Sequence, residues 1–202
     1  MVMPCATTSR NLGIVIAAAC VIVGGTESTA GYDRPVVMVQ ILDPLLVRDL
    51  DDALRQTARI FEAAGVALVP WTKGNEPTRG RVVRVSLVEG HRANRLIGDR
   101  KVLGMAVRRA NLAYVHVERV ATYASKHRMA LPRVLGNAIA HEVGHILLPI
   151  PGHSSAGIMA EILPIVPEVP SFSREQAAAI SAALPGPQPF VNGMMSLLVD
   201  PR

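Results

Sequence analysis

The sequence contains only two cysteines, Cys5 and Cys20, and both lie close to its N-terminus. Beyond residue 20 the chain therefore has no disulfide framework and no thiolate to act as a metal ligand or nucleophile. Any metal site or catalytic group in that part of the chain must use histidine, carboxylate or hydroxyl chemistry.

Aromatic residues are also scarce, with one Trp, three Tyr and three Phe among 202 residues. Half of the residues are hydrophobic, so we expect a folded chain whose core is built mainly from Val, Leu, Ile and Ala. The formal net charge is +5, but the basic residues are dispersed and form no long run. A dispersed basic surface with few rings for base stacking argues against a nucleic-acid partner.

Residues 1–30 are typical of a secretory signal peptide. Arg10 supplies a positive charge, an almost unbroken apolar run extends from Leu12 to Val23, and small residues favour cleavage after Ala30. The apolar run is shorter than the roughly 20 residues of a membrane span, and an uncleaved N-terminal anchor is the alternative. We expect an exported protein, secreted or periplasmic, without stable membrane insertion after cleavage.

The remaining hydrophobic pattern predicts an α+β fold. Short β-branched or alternating segments predict strands at 36–42, 66–71, 82–88, 102–107 and 113–117. Apolar residues at helical spacing predict helices at 45–64, 131–148 and 173–184, whereas polar residues predict loops at 72–80 and 89–100. This order predicts a domain at 31–185 with a mixed twisted sheet, a backing helix, a second long helix and a small C-terminal helical lobe. A tail is expected at 186–202.

The second long predicted helix contains the motif that carries chemistry, which runs from His141 through Glu142, Val143 and Gly144 to His145. Residues i and i+4 lie on one helix face, so two imidazoles there can bind one Zn²⁺. Glu142 can then act as general base toward a zinc-bound water. Glycine costs about 1 kcal/mol in a helix interior, so Gly144 predicts close packing against another element.

A catalytic zinc ion needs a third protein ligand and one open position. His153 follows a segment whose prolines, Pro149 and Pro151, end the helix, and Gly152 allows the chain to turn back. Glu161, farther along the chain, is the alternative ligand. We favour His153 because its return to the motif is the shorter one.

The stretch from His141 to Met159 resembles the metzincin zinc peptidases, and its His153-Ser154 pair is similar to their matrixin branch. The resemblance implies a zincin-like fold, one catalytic Zn²⁺ held by His141, His145 and His153, and Glu142 as the base. It also implies a methionine turn in which Met159 lies beneath the ligands.

The motif departs from the family pattern in three places. Met159 follows His153 by only six residues. His153 comes two residues later than the family spacing allows, and Leu148 stands where the family has glycine. With Glu161 as the third ligand, the site would instead resemble that of a gluzincin.

We therefore expect a zinc-dependent metalloendopeptidase that acts on a peptide or protein substrate. The alternatives are an exported zinc-binding domain without proteolysis and a metal-free structural protein. Tyr114 and His116, on a strand expected to border the cleft, and Tyr123, an oxyanion donor candidate, are secondary positions where we favour ordinary packing. The sequence leaves the substrate, the activation mechanism and the oligomeric state open.

Overall fold

A five-stranded mixed sheet lies at the centre of the computed structural model, which describes residues 34–43, 49–71, 80–98 and 102–185. The predicted signal peptide and C-terminal tail lie outside these residues. The strands are β1 (Val36–Ile41), β2 (Ala67–Pro70), β3 (Arg81–Val88), β4 (Gly104–Val107) and β5 (Leu112–His116).

The strand order is β2-β1-β3-β5-β4, and β4 forms one edge. All neighbouring strands are parallel except β4, which runs antiparallel to β5. Val residues dominate β1 and β3, and each strand has a run of consecutive buried positions, 37–39 and 85–88, as expected where a strand is covered on both faces. This architecture confirms the predicted α+β, zincin-like fold with a mixed sheet.

Five α-helices accompany the sheet within the described residues. They are α1 (Leu50–Ala63), α2 (Gly90–Ile97), α3 (Val117–Lys126), α4 (Leu131–Leu147) and α5 (Arg174–Ala183). Helix α1 is followed closely by Gly65, whose left-handed backbone has φ +74° and ends the helical path. A capping box begins α5, because Ser173 and Gln176 exchange hydrogen bonds there. No helix in the described ranges is long and apolar enough to cross a bilayer.

Helices α1 and α4 pack closely against each other and share the main core with β1, β3 and β5. A side chain at Gly136 would place its Cβ 2.5 Å from the carbonyl oxygen of Ala53, so glycine is required at this crossing. Thr57 donates a hydrogen bond to the Gly136 carbonyl, and Gln56 donates one to Asn137 Oδ1 at 3.0 Å. These satisfied buried polar groups fix the position of α4.

The predicted loop at 89–100 is wrong, because α2 occupies residues 90–97. Its sequence is polar, and only Ala93 and Ile97 are buried, so the apolar stripe is too narrow to predict a helix. These two residues form a small cluster with Val88, against which Met105 and Tyr114 pack. Helix α3 was missed for the same reason, since it buries only Val120 and Ala124.

Candidate metal centre and cleft

Helix α4 places two imidazoles side by side. His141 and His145 lie one turn apart, and their Nε2 atoms are separated by 3.0 Å. His141 is buried and His145 is half-buried, so this face of the helix is only partly open to solvent.

The chain then turns back and adds a third imidazole. Leu148 takes an extended conformation, two prolines follow, and Gly152 has φ +131°, a backbone that disfavours other residues. The Nε2 of His153 consequently lies 3.2 Å from that of His145. The three histidines form a cluster that could hold a metal ion, with ligand atoms all within 4.8 Å of one another. Glu161 lies on the wall of the same cavity but is not part of this cluster.

The tautomer of His141 favours metal binding. Its Nδ1 lies 2.7 Å from the carbonyl oxygen of Ile158. A carbonyl can only accept, so Nδ1 carries the proton and the neutral ring presents a lone pair at Nε2. Zn–N bonds of about 2.0–2.1 Å in a tetrahedral arrangement separate the nitrogens by about 3.3 Å, close to the separations found here. The donor set therefore fits Zn²⁺.

The surroundings of His141 and His145 favour the uncharged form of these two rings. Burial lowers the pKa of His141, with a further contribution from His153. Burial also lowers the pKa of His145 to about 4, followed by the effects of His141, His153 and Arg108. Neutral imidazoles at physiological pH are the form that binds metal.

Glu142 lies buried between α4 and the edge strand. Burial raises the pKa of its carboxyl to about 8. A side chain at Gly104 of β4 would come within 2.7 Å of both Cγ and Oε1 of Glu142, so this glycine leaves the space that the carboxyl occupies. The sequence signal for Gly104 was a glycine inside a predicted strand, which often marks a close approach.

The predicted methionine turn lies directly beneath α4. Ile158 and Met159 are fully buried, and Ser154 N donates a hydrogen bond to Met159 O at 2.8 Å, which closes the loop. A Cβ at Gly144 would lie 2.5 Å from Met159 Sδ and 2.9 Å from Phe172 Cε1. The expectation that Gly144 marks close packing is confirmed.

A cavity of about 730 Å³ opens over the histidine cluster. Strand β4, helix α4 and the segment after α4 form its walls. The side chains that matter for its chemistry are Arg108, His141, Glu142, His145, His153 and Glu161, with Tyr123 and Leu163 at the margin. Three imidazoles, an adjacent buried carboxyl and an open cavity together form an arrangement suited to metal-assisted hydrolysis.

The secondary candidates take other positions. Tyr114 packs with the α2 cluster, and His116 alternates to the same sheet face, away from α4, so β4 rather than β5 borders the cleft. Tyr123 lies at the cavity, but its hydroxyl donates a hydrogen bond to Leu163 O at 2.7 Å. For Tyr114, His116 and Tyr123 these positions agree with ordinary packing, which is the interpretation that the sequence favoured. Arg108 was missed because its place at the cavity depends on how β4 pairs with β5.

No protein-family model matches the chain, and a comparison with curated proteins gives no match. A solved structure that it resembles is that of a zinc-dependent peptidase from Methanocorpusculum labreanum (strain Z). The identity is 12% and the TM-score 0.40, over 71% of this chain and 92% of that one. At this identity and TM-score the likeness assigns no function to the chain. The candidate metal site is instead defined by the chain's own residues, which form a three-histidine cluster able to hold a metal ion in a zincin-like fold.

Proposed function

We propose that the chain is a zinc-dependent endopeptidase. Its single catalytic ion would be held by His141, His145 and His153, in the manner of the metzincins. The observation that carries the proposal is Glu142, a buried carboxyl next to the first histidine and at the cavity wall. A structural zinc site usually has four protein ligands and needs no base, whereas this cluster has three and faces a cavity.

The reaction would divide between the ion and Glu142. Bound zinc would supply Lewis acidity toward the scissile carbonyl and lower the pKa of water. Glu142, when ionised, accepts a proton from the attacking water and afterwards returns it to the leaving amine.

Strand β4 would bind the substrate backbone. Among the described residues it pairs only with β5, so the backbone groups along its other side are open to an extended peptide. Val102 and Ile162 are exposed apolar residues at the cavity, and Leu163 lies nearby. They would contact apolar substrate side chains at one end of the cleft. If residues 1–30 act as the predicted signal peptide, such substrates would be met outside the cytoplasm.

Replacement of Glu142 by Gln tests the proposal. The amide keeps the shape of the carboxyl but cannot take up a proton, so hydrolysis of a peptide library should fall by about 10²–10⁴-fold. Zinc should stay at about one ion per chain, as measured by elemental analysis. Glu168→Gln, which changes an exposed carboxyl outside the cavity lining, is the matched control and should retain both properties.

Two outcomes would contradict the proposal. Unchanged hydrolysis in the Gln variant would remove Glu142 from the chemistry. One zinc per chain without cleavage of any peptide would support the non-proteolytic zinc-binding domain instead.

A further inference from the structure

Arg108 lies where the edge strand meets the cavity. It opens a short 3-10 turn, Arg108–Ala110, directly after the last residue of β4. Its side chain contributes to the cavity wall, whereas the neighbouring Arg109 is exposed and lies outside the wall. Two adjacent arginines thus differ in their access to the site.

The guanidinium of Arg108 has donors left for a ligand. Its Nη1 donates one hydrogen bond, to the carbonyl oxygen of Pro149 at 3.1 Å. None of the ion pairs among the described residues includes Arg108, and Glu161, another charged side chain of the same cavity, is not paired with it. A guanidinium has five N–H donors and binds a carboxylate through two parallel hydrogen bonds.

The direction of β4 determines which part of a substrate would meet Arg108. Antiparallel pairing is two to three times as common as parallel pairing, so an extended peptide is expected to run against β4. Its N-terminal part would then lie toward Arg108 and its C-terminal part toward Gly104. Glu142 packs against Gly104, so the bond to be cut lies at that end.

The two ends of the cleft have different chemistry. From Gly104 to Arg108 the strand spans about 13 Å, at about 3.3 Å per residue. This distance corresponds to a few substrate residues on the N-terminal side of the cut. Val102 and Leu163 make the opposite end apolar.

We propose that Arg108 is a specificity residue that selects an acidic side chain two to four residues before the cleaved bond. This inference rests on the proposed peptidase function. The carboxylate of a substrate Glu or Asp would accept hydrogen bonds from the guanidinium donors that Pro149 leaves free.

Matched peptides test the inference. Peptides that differ only by Glu or Gln at these positions are compared with the zinc-loaded wild type and with Arg108→Ala, Arg108→Lys and Arg109→Ala. For the wild type and Arg109→Ala, the ratio of kcat/KM for the Glu peptide to kcat/KM for the Gln peptide should be about ten. The reason is that hydrogen bonds to charged groups are stronger than those between neutral groups. The ratio should fall to about one in Arg108→Ala and take an intermediate value in Arg108→Lys. It should also shrink as salt is added.

Comparison of two peptides within one enzyme removes any general effect of losing the bond to Pro149. A binding measurement adds a readout that does not depend on turnover. Fluorescence anisotropy with Glu142→Gln protein should show tighter binding of the Glu peptide, and Glu142→Gln/Arg108→Ala should not.

The possible failures are distinguishable. If the zinc-loaded wild type cuts no peptide, the proposed function fails. If it cuts both peptides equally, or if both bind equally to Glu142→Gln protein, only the role of Arg108 is overturned. A preference for Glu placed after the cleaved bond would also overturn it, because the substrate would then run in the other direction.

Discussion

Helix α4 and the connector that follows it, residues 148–172, build the candidate site in opposite ways. The helix supplies two histidines and the carboxyl from five consecutive residues, and its regular backbone alone places them on adjacent faces. The connector supplies a single histidine and contains no helix or strand longer than an isolated bridge. One region therefore depends on local geometry and the other on tertiary contacts.

The contacts that hold the connector come from several elements. Arg133 of α4 donates hydrogen bonds to the carbonyl oxygens of Val166, Pro167 and Glu168. Phe172 packs against Phe61 of α1, with ring centroids 5.1 Å apart. His153 thus approaches the other histidines because distant parts of the chain position the connector. The following predictions separate the two regions.

The largest expected effect comes from the connector's ligand. His153→Ala should weaken zinc binding by about a thousandfold or more, since a tight zinc site distributes on the order of 10–16 kcal/mol over its ligands. Glu161→Ala is the matched control and should bind zinc as the wild type does. Competition with a chelator measures both affinities. If only the Glu161 variant lost zinc, Glu161 would be the third ligand, and the site would resemble that of a gluzincin.

The second effect isolates the buried carboxyl of the helix. In metal-free protein the folded chain keeps the Glu142 proton up to its pKa of about 8, whereas the unfolded chain releases it near 4.5. The folded state therefore loses stability as pH rises through this window. Each pKa unit is worth about 1.4 kcal/mol. At pH 8.5 the free energy of unfolding of Glu142→Gln should therefore exceed that of the wild type by about 2–4 kcal/mol.

Denaturant titrations of chelator-treated protein at pH 4.5, 6.5 and 8.5 measure this difference. The lowered pKa values of His141 and His145 also change stability, but they act below pH 6.5 and are common to both proteins. A difference that does not grow with pH would mean that Glu142 is not held protonated by burial.

The smallest effect concerns the contact between the two regions. Gly144→Ala gains about 1 kcal/mol of helix propensity but drives a methyl group into Met159 and Phe172. We expect a net loss of about 1–2 kcal/mol in the free energy of unfolding. A double-mutant cycle with Met159→Ala measures the coupling, and the glycine replacement should cost less in that background. Equal costs in both backgrounds would rule out the contact as the cause.

The contrast also explains what the sequence could predict. The spacing of His141 and His145 and the apolar stripe of α4 were readable because both follow the 3.6-residue helical period. Gly144 predicted a close neighbour, but only the folded connector identifies it as Met159 and Phe172. Helix α2 was missed because two buried residues do not make a detectable stripe.

The neighbours of other residues could not be predicted from the sequence, because they depend on pairing between distant segments. The role of Gly104 next to Glu142, and the access of Arg108 to the cavity, both depend on the antiparallel position of β4 at the sheet edge. The sequence predicted the strand that carries Tyr114 and His116, but the expectation that this strand borders the cleft was wrong. Periodicity shows that a strand has two faces, and tertiary structure decides what each one covers.

Strand β4 has a consequence for self-association. An unpaired sheet edge also attracts strands from other copies of the same chain, and such growth leads to aggregation. Here the edge strand is only four residues long, begins with Gly104 and is followed at once by Arg108 and Arg109. Short length and flanking positive charge are features by which proteins discourage continued edge-to-edge stacking. Both features oppose continued edge-to-edge pairing of copies, although the backbone edge of β4 borders the cleft.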